Sequence, residues 1–130
     1  MKTLTTFLMA LAFSAITAAA SNQFADISHD DLKQAIAQKN LTLVDVNGTE
    51  SYKKGHIPGA MDYIATEGQF ASKLPKEKNA LVVAYCGNER CQAYRQAAAK
   101  AKELGYTNVK HYSKGIAGWK SAGEKTEPGA

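Results

Sequence analysis

The sequence predicts an α/β fold, with a mostly parallel sheet covered by helices on both faces. Two observations carry this. Short runs rich in β-branched residues, at 41–46 (LTLVDV) and 80–85 (ALVVAY), alternate with segments of helical period. Such alternation implies right-handed βαβ crossovers. The run at 80–85 is apolar throughout, as a strand buried on both faces must be. The chain has 130 residues and a formal charge of +4, enough for one domain around one hydrophobic core and too apolar for a disordered chain.

The first twenty residues stand apart, with one charge, Lys2, and fourteen apolar residues. Lys2, the apolar stretch 4–16 and Ala18-Ala19-Ala20 make the three parts of a secretory signal, cleaved before Ser21. Thr3, Thr5, Thr6, Ser14 and Thr17 interrupt a run already shorter than the ~20 apolar residues of a membrane span. Residues 1–20 are therefore expected to be a signal peptide and 21–130 a single domain. The mature protein is expected to be periplasmic or secreted, with no membrane association after the signal is removed.

The remaining elements follow in order. Ser28 with Asp31 three residues later is an N-cap pattern, after which Leu32, Ala35 and Ile36 share a helical face. The strand at 41–46 ends at Asn47-Gly48, a turn signal. Thr49 is expected to cap a brief helix through Lys54, which stops at Gly55-His56-Ile57-Pro58-Gly59. Residues 60–64 read as a short strand, and Thr66 as the cap of a helix that brings Phe70 and Leu74 together before Pro75. Residues 92–104 form the longest predicted helix. Ala93, Ala97, Ala101 and Leu104 lie on one face, and Gly105 sits at the position after the C-cap. A last strand at 108–112 and a final helix at 115–121 precede a polar tail, 123–130, expected to fray.

In a parallel sheet, ligands bind beyond the carboxyl ends of the strands. The sequence leaving the strand at 80–85 is Cys86-Gly87-Asn88-Glu89-Arg90-Cys91-Gln92, and a helix follows directly. Such a loop can curl its N–H groups inward beside a helix N-terminus, and both effects favour a thiolate. Arg90 adds to them if its side chain turns to the sulfur. The chemistry this suits is a nucleophilic sulfur that accepts and passes on a group. A structural disulfide is the plainer reading of two cysteines in an exported chain. A loop this short would gain less than the about 3 kcal/mol expected for fifteen residues, which favours a chemical role for Cys86 and leaves Cys91 open.

Three ordered motifs then carry a resemblance. Leu43-Val44-Asp45-Val46 with Tyr52-Lys53-Lys54-Gly55-His56-Ile57-Pro58-Gly59-Ala60, the Cys86 loop, and Gly115-Ile116-Ala117-Gly118-Trp119 together resemble rhodanese-type sulfurtransferase domains over roughly residues 27–122. Asn47 and Lys114 depart from residues common in that family, and the C-x4-C loop resembles a subset of its exported members.

The resemblance implies a rhodanese-like, five-stranded, mostly parallel sheet with helices on both sides. It implies that Cys86 takes sulfane sulfur from a small anionic donor such as thiosulfate and passes it to cyanide or a thiol. The loop from Gly87 through Asn88, Glu89, Arg90 and Cys91 to Gln92 would bind the substrate. Asp45 and His56 would support the site without acting as acid or base.

Cys91 has two readings: a resolving thiol that forms a disulfide with Cys86, or a buried residue at the helix start that never meets it. No cofactor or metal is expected, because Cys86, Cys91, His29, His56 and His111 lack zinc-ligand spacing. The separation of the cysteines is not that of a C-x-x-C redox motif. A phosphatase would need arginine where Gln92 stands. Lysines are scattered singly, which excludes a nucleic-acid binder and favours anionic small molecules. Tyr85 and Trp119 read as core residues. A monomer is expected, and the sequence names no protein partner. The alternative to an enzyme is a sulfur-carrier, binding or dithiol-redox domain that uses Cys86 and Cys91 without thiosulfate turnover.

Overall fold

The computed structural model describes residues 24–129; the expected signal peptide lies outside them. The elements run β1 (Ala25–Asp26), α1 (His29–Gln38), β2 (Leu41–Asp45), α2 (Thr49–Lys54), β3 (Met61–Asp62), α3 (Tyr63–Thr66), α4 (Phe70–Lys73), β4 (Leu81–Tyr85), α5 (Tyr94–Glu103), β5 (Val109–His111) and α6 (Gly115–Ser121). The five strands form one sheet in the order β1-β5-β4-β2-β3, every pair parallel. The α/β class and the five-stranded sheet are as the sequence implied. No helix among the described residues is long and apolar enough to cross a membrane.

Strand alternation divides the core. Val82, Ala84 and Cys86 face one side, where they pack against Tyr94, Ala97, Ala98 and Ala101 of α5 and against Tyr63, Phe70 and Leu74. Val83 and Tyr85 face the other, against Leu32 of α1, Ile57 and Trp119 of α6. A period of two places successive side chains on opposite faces, so β4 is buried on both, as its apolar run requires. The cysteine that follows β4 continues the α5 side.

Local chemistry sets the boundaries. Ser28 accepts the Asp31 N–H at 3.1 Å and caps α1. At the end of α5 the Gly105 N–H bonds Lys102 O and the Tyr106 N–H bonds Ala101 O. Gly105 takes φ +94° there, the Schellman ending that the glycine signalled.

Several expectations are corrected. Strand 60–64 shrinks to two residues because the Asp62 carboxylate accepts the Ala65 N–H and opens α3. Thr66 caps nothing; its hydroxyl donates to Asp62 O, and a 3-10 turn follows. Thr49 is the first residue of α2, with Gly48 at the cap. The helix expected from 92 starts at Tyr94, since the Arg95 and Gln96 N–H groups bond back only to Gln92 and Ala93. β1, unpredicted, pairs with β5. The tail is not frayed: Glu127 exchanges both backbone hydrogen bonds with His56, Gly129 N–H bonds Lys53 O, and Trp119 Nε1–H bonds Lys125 O.

Candidate functional site

β2 and β4 are adjacent and parallel, so their exits lie side by side at one end of the sheet. At the first exit, buried Asp45 accepts the Asn47 N–H at 2.8 Å and the Tyr85 hydroxyl at 2.6 Å. The Tyr85 oxygen in turn accepts the Ile57 N–H at 3.0 Å. Burial raises the Asp45 pKa, against the pull of the bonds from Tyr85 and Asn47. Burial, and then the neighbouring carboxylate, push the Tyr85 hydroxyl far above its ordinary range. His56 stacks on Tyr52 at 3.8 Å and donates from Nδ1 to the Tyr52 carbonyl. Asp45 and His56 are thus joined to the segment that closes over the strand ends. The Asn47 side chain lies next to Gly87, where an added Cβ would come 3.6 Å from its oxygen. That contact links the Asp45 network to the base of the cysteine loop.

At the second exit stands Cys86, 3% exposed. Asn88 folds the loop: its side-chain oxygen accepts the Arg90 N–H at 2.9 Å and its carbonyl accepts the Cys91 N–H at 3.1 Å. Two of the N–H groups expected to hold substrate, those of Arg90 and Cys91, are therefore committed within the loop. Those of Gly87, Asn88, Glu89 and Gln92 have no such bond among the described residues. The turn brings Cys91 to Cys86, with Cα atoms 6.2 Å apart and the sulfurs joined as a disulfide. Of the two readings of Cys91, the one in which it never meets Cys86 is excluded.

The loop rests on α6. Ile116 N–H bonds Cys86 O and Ala117 N–H bonds Gly87 O, both at 2.9 Å. This approach requires glycine at 115: a Cβ there would lie 2.5 Å from Cys86 O and 2.7 Å from the Gly87 carbonyl carbon, and φ is +60°. The Asp26 carboxylate, at the end of β1, holds the Ser113 N–H and hydroxyl at 2.9 and 2.8 Å and fixes the entry to α6.

Between loop and helix lies an open groove of about 630 Å³, lined by Asn88, Glu89 and Arg90 on one wall and by Lys114, Ala117, Gly118, Ser121 and Ala122 on the other. Neither Arg90 nor Lys114 forms an ion pair among the described residues. A Cβ on Gly118 would collide with the Lys114 side chain, so the glycine makes room for that lysine along the helix. The groove thus carries one cation on each wall, with the Glu89 carboxylate beside Arg90 on the loop side. Lys114 and the rest of the α6 wall were missed from sequence. The Gly115-x-x-Gly118 spacing was their only signal.

The histidines do not converge with the cysteines. His29 bonds Tyr112 and Glu124, while His111 stacks on Tyr94. Among the described residues no group of three or more His, Cys, Asp or Glu is placed to hold a metal.

The fold is shared with known proteins. The Rhodanese-like domain profile matches residues 28–122. The HTH-type transcriptional regulator Rv0324 of Mycobacterium tuberculosis is 35% identical over 91 residues, which are 69% of this chain and 39% of the regulator. The chain thus spans about two fifths of that relative. The crystal structure of a thiosulfate sulfurtransferase from Pseudomonas aeruginosa aligns with a TM-score of 0.68 at 26% identity, over 82% of this chain and 20% of that one. A human single-domain sulfurtransferase aligns with a TM-score of 0.62 at 22% identity, over 76% of this chain and 97% of its own, and shares the fold.

Proposed function

The chain belongs to the Rhodanese-like domain family, and on that premise we propose that it is a sulfurtransferase with Cys86 as its sulfur carrier. The observation that carries this reading is the placement of Cys86. It ends the central strand β4, its carbonyl is held by α6, and its loop opens onto a groove with Arg90 and Lys114 on facing walls. A group that must accept sulfur from an anion belongs beside such a groove.

In the reduced protein the Cys86 thiolate attacks the outer sulfur of a donor such as thiosulfate. The sulfur–sulfur bond of the donor breaks, sulfite leaves with its electron pair, and Cys86 holds a persulfide. The free N–H groups of the loop and the N-terminus of α5 then face a negatively charged sulfur, which both stabilise. A thiophilic acceptor, cyanide or a thiol, attacks the outer sulfur and restores the thiolate. Arg90 and Lys114 hold the departing or incoming anion. Gln92 supplies no charge, so the loop lacks a clasp for a phosphoryl group. The reading further puts the mature chain outside the cytoplasm, on the signal-like pattern of residues 1–20, and takes it to act as a monomer.

Thiosulfate:cyanide turnover of the reduced protein, compared with Cys86→Ser, tests the proposal. The expected result is turnover in the first and none in the second, with unchanged thermal unfolding. Turnover that survives in Cys86→Ser would move the chemistry elsewhere.

A further inference from the structure

The cysteine loop brings a second sulfur to the first, and the fold has no need of it. Asn88 already closes the turn through the Arg90 and Cys91 N–H groups, and α6 already holds the Cys86 and Gly87 carbonyls. A disulfide across a separation of five residues constrains the unfolded chain little, because the gain shrinks as the closed loop shortens. The two sulfurs also differ in access. Cys86 is 3% exposed, whereas Cys91 is half-buried at the rim of the same core cluster.

We propose that Cys91 is a resolving thiol that discharges the Cys86 persulfide as hydrogen sulfide, so that the protein releases sulfide from an anionic sulfane donor at the expense of a dithiol reductant. The inference rests on the persulfide chemistry proposed above and adds an acceptor that the chain itself supplies.

The step balances. Cys91 gives its proton to solvent, and its thiolate attacks Cys86 Sγ. The outer sulfur of the persulfide takes a proton from solvent, the bond between it and Cys86 Sγ breaks, and the electron pair leaves with it as HS⁻, which is protonated to hydrogen sulfide in solution. The sulfane sulfur is reduced to sulfide, and the two cysteine sulfurs are oxidised to the disulfide seen in the structure.

Return to the dithiol state needs a dithiol reductant. Its thiolate attacks Cys91, the less buried of the two cysteines, and releases Cys86 as the leaving thiolate. Its second thiol then displaces Cys91, and the reductant departs as a disulfide. The difference in exposure thus assigns the reductant to Cys91. An oxidising compartment makes the arrangement useful, since a lone persulfide-bearing cysteine there would be open to further oxidation.

The test uses the purified chain, reduced with a dithiol, freed of it, and given thiosulfate without cyanide. Sulfite, sulfide and intact mass are followed in the wild type and in Cys91→Ser. The expected wild type releases one sulfite and then one sulfide per chain, and ends two hydrogens lighter than the dithiol form. Cys91→Ser is expected to lose the sulfide release and to keep the mass of one added sulfur atom.

A wild type that forms sulfite, keeps the added sulfur and releases no sulfide would overturn the resolving role and leave the persulfide reading standing. Equal sulfide release by Cys91→Ser would overturn the resolving role as well. No sulfite and no added sulfur in the reduced wild type would overturn both readings. Should Cys91→Ser fail to fold, the wild-type measurement decides alone.

Discussion

The segment from Asp45 to Ala60 and the loop from Cys86 to Gln92 leave adjacent strands at the same end of the sheet, yet their polar groups are used differently. In the first, Asp45, Tyr52 and His56 turn their polar groups to the fold, while Glu50, Ser51, Lys53 and Lys54 stay exposed. Asp45 holds Tyr85 and Asn47, Tyr85 holds Ile57, Tyr52 donates to Ala60 O, and His56 donates to Tyr52 O. In the second, only Asn88 works on the fold, while Glu89, Arg90 and the facing Lys114 line an open groove. The segment that most resembles a family signature is scaffold, and the exposed, less patterned loop is left free for chemistry.

The comparison can be broken where the two regions share support. Gly115→Ala should have the largest effect on turnover, because its Cβ would overlap Cys86 O and Gly87 at 2.5–2.8 Å from a left-handed backbone. Overpacking of this kind costs about 1–3 kcal/mol, and lifting α6 from the loop should abolish turnover; chemical denaturation and a thiosulfate:cyanide assay measure the two losses. A variant with full turnover would show that α6 does not hold the loop.

Asp45→Ala comes next. It strips the acceptor from the Tyr85 hydroxyl and the Asn47 N–H in the core, and should cost about 2–4 kcal/mol. Urea unfolding measures it, and a loss within experimental error would mean the network is not scaffold.

On the open side the effects are smaller and fall on substrate. Arg90→Ala and Lys114→Ala should each lower kcat/KM for anionic donors about tenfold, or about 1.4 kcal/mol, with stability unchanged and neutral donors little affected. Equal losses for both donor classes would remove these residues from the substrate's path.

The smallest effect is in pH. Burial lowers the His111 pKa from 6.5, so between the folded value and 6.5 the unfolded chain binds the proton more readily. Stability should therefore decline as pH falls through 6.5, and His111→Gln should flatten that part of the profile. A steeper acid loss in the variant would contradict the sign.

What was legible in the sequence was what local chemistry decides. The apolar run of β4, the Ser28 cap and the Gly105 ending of α5 each carry their own signal. What was not legible depends on distant partners. β1 is two residues long and exists through β5, and the tail is held by distant partners, Glu127 by His56 and Gly129 by Lys53. Residues 60–64 look like a strand until the Asp62 carboxylate turns back to cap α3. The site divides in the same way. Cys86 was visible from its place after a buried strand, but Lys114 became part of the groove only through the docking of α6 on Gly115.

The central claim is that the Asp45 network stabilises the fold and takes no part in the reaction, while Cys86 does the chemistry. Its most direct test is thiosulfate:cyanide turnover per folded chain in Asp45→Ala, measured in reduced protein well below that variant's unfolding midpoint. The account predicts a rate close to that of the wild type from a less stable protein. A rate as low as that of Cys86→Ser, from chains shown to be folded, would contradict it and make the buried carboxylate part of the reaction.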